Sequence, residues 1–168
     1  SYEGDMGYNY GDLTGQQMVE RFWLAITRGG YGTHGEMYHH PDNILFWSKG
    51  GTLHGTSPER IRFLRNLMEE SLSGGLMPYP TEPWWNRKSC GSQGESVFFF
   101  YYEDYQPAFR PVTLPEGKEY TIDVIDTWKM TIERLEGTYA GYVEVPLPGK
   151  PYMALRVMET GIDSESAR

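Results

Sequence analysis

Residues 96–102 read Ser-Val-Phe-Phe-Phe-Tyr-Tyr, and this stretch decides the fold. Its β-branched and aromatic residues favour a strand. Successive side chains of a strand point to opposite faces, and here both sets of alternating positions are apolar. The stretch therefore predicts a strand that is buried on both faces.

The sequence that follows predicts further strands. Residues 119–126 alternate apolar and polar side chains with period two, as a half-buried strand should. Shorter strands, separated by Pro and Gly turn signals, are predicted at residues 107–112, 127–133, 139–145 and 152–158. In 127–133 the alternation would place Trp128, Met130 and Ile132 on one face. Several short strands with turns between them predict an antiparallel β-sandwich over residues 96–160, followed by a disordered tail at 161–168.

The N-terminal part of the chain predicts a first helix at residues 14–28. Thr14 and Gln17 have the spacing of a capping box, in which each side chain binds the backbone N–H of the other residue. The apolar stripe of this helix is formed by Met18, Phe22 and Ile26. Such a stripe must be covered, so we expect the sandwich, another copy or another piece of the parent chain to pack on it.

A second helix is predicted at residues 57–72, with Ser57 as the N-cap and Pro58 at the first helical position. Residues 31–35 between the two helices are short enough for a buried strand. Helix, strand, loop and helix in this order are typical of a repeating α/β fold, but one strand cannot make a sheet. The chain is therefore predicted to be α+β: a partial (β/α)8-barrel segment of two helices and one strand at 1–73, a connector at 74–95, and then the antiparallel β-sandwich.

Net charge, apolar content and cysteine count exclude several classes of partner and site. The net charge is −8 and the pI is about 5.0, which argues against nucleic acid or an anionic membrane as a partner. No apolar run is long enough for a membrane span. Cys90 is the single cysteine, so no internal disulfide or multi-cysteine metal cluster can form. We predict no metal site and no cofactor, and the sequence leaves the compartment open.

The densest polar constellation is residues 34–42, with three His and two carboxylates. It could hold a metal or an acid–base site, but adjacent His residues on extended backbone point in different directions. His34 and Glu36 lie at the end of a predicted strand, where a (β/α)8 barrel places its active site. The competing interpretation is a Gly-rich turn whose His and Glu bind backbone groups.

Trp47 and Glu3 are the other candidates. A loop Trp at a barrel mouth can stack on a sugar ring, or it can simply anchor a long loop to the core. Glycoside hydrolysis needs two carboxylates that flank the scissile bond, and Glu3 with Glu36 could be such a pair. Glu3 could equally be an ordinary solvated residue.

Two sets of motifs resemble a group of apiosidase-like and cellulase-like glycoside hydrolases. The first set is similar to the end of their barrel and comprises residues 2–4 (Tyr-Glu-Gly), 21–23 (Arg-Phe-Trp), 29–36 (Gly-Gly-Tyr-Gly-Thr-His-Gly-Glu) and 46–51 (Phe-Trp-Ser-Lys-Gly-Gly). The second is similar to the sandwich that follows such barrels, which is sometimes called collagen-binding, and includes residues 109–110 (Phe-Arg), 124–128 (Val-Ile-Asp-Thr-Trp) and 150–156 (Lys-Pro-Tyr-Met-Ala-Leu-Arg).

This resemblance implies that the two helices are the seventh and eighth of a barrel and that a catalytic Glu would lie just before residue 2. His34, Tyr38 and Trp47 would then bind the carbohydrate substrate of a parent enzyme, with the rest of the barrel or a second copy as partner. The chain alone is expected to be an inactive C-terminal fragment of a glycoside hydrolase that acts on plant or microbial polysaccharide. The alternatives are a non-catalytic β-sandwich that binds carbohydrate or protein, and an intact small enzyme that uses Glu3 and Glu36.

Overall fold

A computed structural model of the chain describes residues 3, 13–33, 38–39, 52–53, 55–80 and 89–161. Two helices, α1 (Gly15–Thr27) and α2 (Ser57–Ser71), lie in the N-terminal part. The strands are β1 (Tyr38–His39), β2 (Thr52–Leu53), β3 (Met77–Pro78), β4 (Ser89–Gln93), β5 (Val97–Tyr101), β6 (Phe109–Thr113), β7 (Tyr120–Asp126), β8 (Thr131–Arg134), β9 (Tyr142–Pro146) and β10 (Met153–Glu159).

The strands form three antiparallel sheets. One has six strands in the order β3-β4-β5-β10-β7-β8, and the other two are the pairs β6-β9 and β1-β2. β5 and β7 both pair with β10, so the last strand of the chain joins the two halves of the large sheet. This arrangement confirms the α+β prediction and the antiparallel sandwich.

The strand β5 is buried on both faces, as its sequence predicts. Phe98 and Phe100 belong to a core shared with Val112 of β6 and Val145 of β9. Phe99, on the opposite face, belongs to a second core that contains residues of both helices. The six-stranded sheet is therefore covered by the β6-β9 pair on one side and by α1 and α2 on the other.

The apolar stripe of α1 is covered by the sandwich, which is one of the expected arrangements. Met18 and Trp23 are fully buried in the helix-side core. The indole of Trp23 stacks on the ring of Tyr101 with the ring centroids 5.4 Å apart. The predicted capping box is confirmed: the Gln17 N–H donates to Thr14 Oγ1, and the Thr14 N–H donates to Gln17 Oε1.

A buried carboxylate also links the sheet to α2. Asp123 of β7 is 1% exposed and lies between two arginines. Arg134 and Arg156 both donate to its oxygens, and Arg156 Nη1 reaches Ser71 Oγ on α2 at 2.9 Å. Burial raises the pKa of Asp123, but the two guanidinium groups outweigh it and hold that pKa below its usual value. The carboxylate stays charged, so the sheet face toward α2 has a fixed ion pair beside its apolar core.

The strand predicted at residues 127–133 is wrong in its first half. Asp126 Oδ1 accepts the backbone N–H groups of Trp128 and Lys129, which starts a turn, and Met130 has a positive φ of 59°. β8 begins only at Thr131, and its residues are exposed. The alternation of apolar residues does not predict this turn, because an Asp side chain that binds the backbone two residues ahead competes with the strand ladder.

The strand β4 was not predicted; it lies with β3 in the segment predicted as a connector. Its residues, Ser-Cys-Gly-Ser-Gln, have little β-propensity. The structure needs small side chains there: a Cβ on Gly91 would lie 2.9 Å from the Thr27 carbonyl oxygen at the end of α1. Residues 31–33, the described part of the strand predicted at 31–35, have no regular structure.

Replacing Phe99 tests the shared sheet. We expect Phe99→Ala to lower the free energy of unfolding by about 3–5 kcal/mol, because the ring is fully buried between sheet and helices. The matched control is Phe109→Ala, which removes a ring that is 54% exposed and should cost less than about 0.5 kcal/mol. Urea unfolding of both variants measures the difference, and equal losses would contradict the assigned layers.

Candidate functional site

Most of the predicted site residues lie outside the described part of the chain. This holds for His34, Glu36 and Trp47. The backbone of Tyr38 is in β1, where it pairs with Leu53 of β2, two residues before Gly55. Their roles remain predictions.

Glu3 is described, and it sits at the start of α2. Its backbone bridges to Leu13 in parallel, and the residue is 8% exposed. Oε1 accepts the backbone N–H of Thr56 at 2.8 Å and the hydroxyl of Thr56 at 2.9 Å. Oε2 accepts the backbone N–H of Ser57 at 2.8 Å. Both carboxylate oxygens are therefore bound to the first turn of the helix.

This contact changes the predicted cap of α2. The N-cap is Thr56, one residue before the predicted Ser57, and its side chain makes no capping bond to the helix. Glu3, more than fifty residues away in sequence, supplies the acceptor instead. A full negative charge interacts with the exposed N–H groups and the helix dipole more strongly than a neutral hydroxyl does, so the distant carboxylate takes the place of a local cap.

Two glycines make room for the carboxylate. A Cβ on Gly15, the first residue of α1, would collide with Thr56 Oγ1 and lie 2.8 Å from Glu3 Oε1. Gly55 has a φ of +96°, and a Cβ there would collide with the carboxylate of Glu3. The first turns of both helices therefore converge on one buried negative charge.

The same junction reaches the β7–β8 turn. Arg60 of α2 lies with Cζ 3.8 Å from the centroid of the Trp128 ring, and its Nε donates to the Trp128 carbonyl at 2.8 Å. The Trp128 ring would also lie 3.0 Å from a Cβ on Gly15. Glu3, the two helix starts and the sandwich turn thus form one contact cluster, which we call the Glu3 junction (Glu3, Gly15, Thr56, Arg60 and Trp128).

The electrostatics of Glu3 favour a structural role. Burial raises the pKa of its carboxyl, but the hydrogen bonds from Ser57 and Thr56 outweigh burial and hold the pKa below its usual value. A carboxylate that stays ionised near neutral pH is a poor general acid. A nucleophile would also need a free oxygen lone pair facing the substrate, and both oxygens here are bound to the helix. The catalytic role of Glu3 stays a prediction that this geometry does not favour.

The part of the chain that the structure describes contains neither a cluster of metal-binding side chains nor a helix that could span a membrane. Within it, no three His, Cys, Asp or Glu side chains are grouped so that they could hold a metal ion. Neither described helix combines the length and the apolar character of a membrane span.

Two exposed aromatic rings on the β6-β9 sheet were not predicted from the sequence. Phe109 is 54% exposed and Tyr142 is 65% exposed, while Val112 and Val145 of the same two strands are buried. The alternation of residues 109–113 carries this signal, because Phe109 has the parity of the outward-facing residues. By contrast Tyr101 is fully buried, and Trp128 and Tyr152 are half-buried.

Comparison with known proteins connects this fold to glycoside hydrolases. A candidate glycoside hydrolase from Bacteroides vulgatus has a solved structure that is 25% identical, with a TM-score of 0.78 over 95% of this chain and 35% of that chain. The fold is glycoside-hydrolase-related. Another structure described as a glycoside hydrolase is 14% identical, with a TM-score of 0.61 over 90% of this chain and 38% of that chain.

A glycoside hydrolase of family 5 from Bacteroides vulgatus shares the fold at 13% identity, with a TM-score of 0.62 over 89% of this chain and 37% of that chain. This chain therefore spans little more than a third of the length of each of these proteins. Residues 84–158 match a domain family described as a domain of unknown function, DUF5605, which is less than half of the chain. No curated protein matches the chain.

The Glu3 junction can be tested with Glu3→Gln. We expect the free energy of unfolding at pH 7 to fall by about 1–3 kcal/mol, because the amide carries no charge and brings an NH₂ donor toward N–H donors. The pKa of Glu3 is lowered in the folded state, so its contribution is complete above the unfolded carboxyl pKa of about 4.3 and is lost as the pH falls through the folded value.

Denaturant unfolding of wild type and variant between pH 7 and pH 3 measures this difference, which should shrink below about pH 4. The matched control is Glu70→Gln on the exposed face of α2, which should leave stability almost unchanged at every pH. A stability loss that is as large at pH 3 as at pH 7 would contradict the charge-based explanation.

Proposed function

We propose that this chain is the C-terminal segment of a glycoside hydrolase and that it acts on plant or microbial polysaccharide only together with the rest of the parent protein. The observation that carries the proposal is that the structural match covers almost all of this chain but only about a third of the matched protein. The 25% identical candidate glycoside hydrolase accounts for 95% of this chain, whereas this chain accounts for 35% of that protein.

In this proposal the two helices belong to the barrel and the six-stranded sheet belongs to the sandwich. The continuous core of α1 with β5 supports a sandwich that is packed against the barrel and stabilises it. Trp23 of α1 is fully buried against Tyr101 of β5, which is the contact expected of an integral unit. A domain tethered by a free linker would not bury its largest side chains against its neighbour.

The proposed site in the parent enzyme contains His34, Tyr38 and Trp47 on the substrate side. Glu36 is the carboxylate that we place nearest the reaction, since the oxygens of Glu3 are bound to α2. At least one further catalytic carboxylate has to come from another part of the parent protein, because hydrolysis of a glycosidic bond normally uses two.

The alternative is a non-catalytic module that binds carbohydrate or protein. Burial of Tyr101 and half-burial of Trp128 and Tyr152 disfavour those rings as a binding surface. The exposed rings of Phe109 and Tyr142 are the observation that favours this alternative.

An activity assay distinguishes the fragment from a small complete enzyme. We expect the 168-residue chain to release no product from aryl glycosides or plant polysaccharides, and the parent protein to hydrolyse at least one of them. Trp47→Ala in the parent should raise KM by about tenfold with a smaller change in kcat, as loss of a stacking platform implies. Ile132→Ala, which removes an exposed side chain of β8 in the sandwich, is the matched control.

Hydrolysis by the isolated chain that disappears in Glu36→Gln would overturn the fragment proposal in favour of the small enzyme. Hydrolysis that persists in Glu36→Gln would identify a contaminating enzyme, and the assay would then be read from the parent protein. A parent protein inactive on every glycoside would overturn the hydrolase assignment.

A further inference from the structure

The outward face of the β6-β9 sheet carries two aromatic rings, two prolines, a threonine and a glutamate. The register pairs Phe109 with Pro146, Pro111 with Glu144 and Thr113 with Tyr142. These three pairs alternate with the buried positions of Val112 and Val145, so all six side chains lie on the outer face. We call this surface the β6-β9 platform.

The inward-facing side chains of β6 and β9 anchor the platform in the core. Val112 and Val145 are no more than 1% exposed and pack on Phe98 and Phe100 of the large sheet. The neighbouring Arg110 turns inward, with Cζ 5.8 Å from the centroid of the Tyr102 ring. A ligand on the outer face would therefore meet rings whose backbone is already fixed, which lowers the entropic cost of binding.

The spacing of the two rings suits an elongated ligand. Phe109 and the Thr113–Tyr142 pair are four strand positions apart, which corresponds to roughly 13 Å at the usual rise. Pro146 lies opposite Phe109, and Pro111 lies midway between Phe109 and the Thr113–Tyr142 pair, so both prolines add apolar surface along the row. Rings and prolines in a row can each pack on the C–H face of one sugar unit, whereas a single monosaccharide would reach only one of them.

The charge of the platform selects among ligands. No Lys or Arg is on the outer face of β6 or β9, and Glu144 lies near its middle. Glu144 Oε1 accepts the Tyr142 hydroxyl at 3.3 Å and has lone pairs left for sugar hydroxyls. A neutral polysaccharide fits this surface, while an acidic one would be repelled by Glu144 and by the net charge of −8.

The same charge argues against a second copy of the chain as the occupant. A two-fold contact through this small face would bring two Glu144 carboxylates toward each other between two chains of charge −8. The helices, for their part, cover the opposite side of the large sheet, so a barrel packed on them would leave the platform open.

We propose that the β6-β9 platform is a binding site for a neutral oligo- or polysaccharide, with Phe109 and Tyr142 as stacking rings and Glu144 as a hydrogen-bond acceptor. The choice of carbohydrate as the ligand class rests on the proposed function. The binding itself needs no hydrolysis, so its failure and the failure of the hydrolase proposal can be told apart.

Affinity gel electrophoresis of the 168-residue chain tests the proposal. The probes are arabinoxylan, mixed-linkage β-glucan and galactomannan as neutral polysaccharides, and polygalacturonate as an acidic one. We expect at least one neutral polymer to retard the chain and polygalacturonate not to. Phe109→Ala and Tyr142→Ala should each weaken binding by about tenfold, and the double variant should lose it.

Tyr31→Ala and Ile132→Ala, which remove exposed apolar side chains outside the platform, are the matched controls and should bind as wild type does. Thermal melts confirm that each variant is folded, and the single variants decide the matter if the double variant is not. The proposal is overturned if no neutral polymer retards the chain or if Phe109→Ala and Tyr142→Ala bind normally. Preferential retardation by polygalacturonate, or a dimer in sedimentation that Phe109→Ala dissociates, would overturn it equally.

Discussion

The packing of β5 between two layers is the constraint on which the other features of this structure depend. Phe98 and Phe100 face the β6-β9 sheet, while Phe99 and Tyr101 face the helices. Hydrophobic burial is the dominant favourable term in folding, and here one strand takes part in both cores. The helical segment and the sandwich are consequently not separable units, because removing either one would expose a face of the strand that has no polar alternative.

Polar contacts then fix how the helices sit on that sheet. Asp123 reaches α2 through Arg156 and Ser71, and Arg60 reaches back from α2 to Trp128. Apolar packing alone tolerates small shifts between layers, whereas hydrogen bonds to a buried charge are directional and costly to leave unmade. The carboxylate of Glu3, bound to the backbone N–H groups of Thr56 and Ser57, adds a third such contact, so the orientation of the helical layer is set at both ends of α2.

Sequence patterns predicted the parts of this arrangement that depend on local chemistry. The capping box of Thr14 and Gln17, the buried stripe of α1 and the double burial of β5 all follow from spacing and polarity within one element. The strand β4 and the cap of α2 could not be predicted in this way. Gly91 is small because α1 passes over it, and Glu3 caps a helix more than fifty residues away, so both depend on tertiary contacts.

The same dependence on tertiary contacts applies to Glu3 and to the β6-β9 platform. A carboxylate near a predicted barrel strand is typical of a catalytic residue, and nothing in the neighbouring sequence shows that two backbone N–H groups will bind it. Phe109 and Tyr142 are more than thirty residues apart, and only the register of β6 with β9 brings their rings to one face. A functional surface assembled from two strands can be recognised from the sequence only when the pairing of the strands is already known. A hydrolytic carboxylate is recognised in a structure by an oxygen that is not already bound to the protein. The carboxylate oxygens of Glu3 are bound to backbone N–H groups, whereas the rings of Phe109 and Tyr142 are exposed. The β6-β9 platform is therefore the better place in the described structure to look for a carbohydrate ligand.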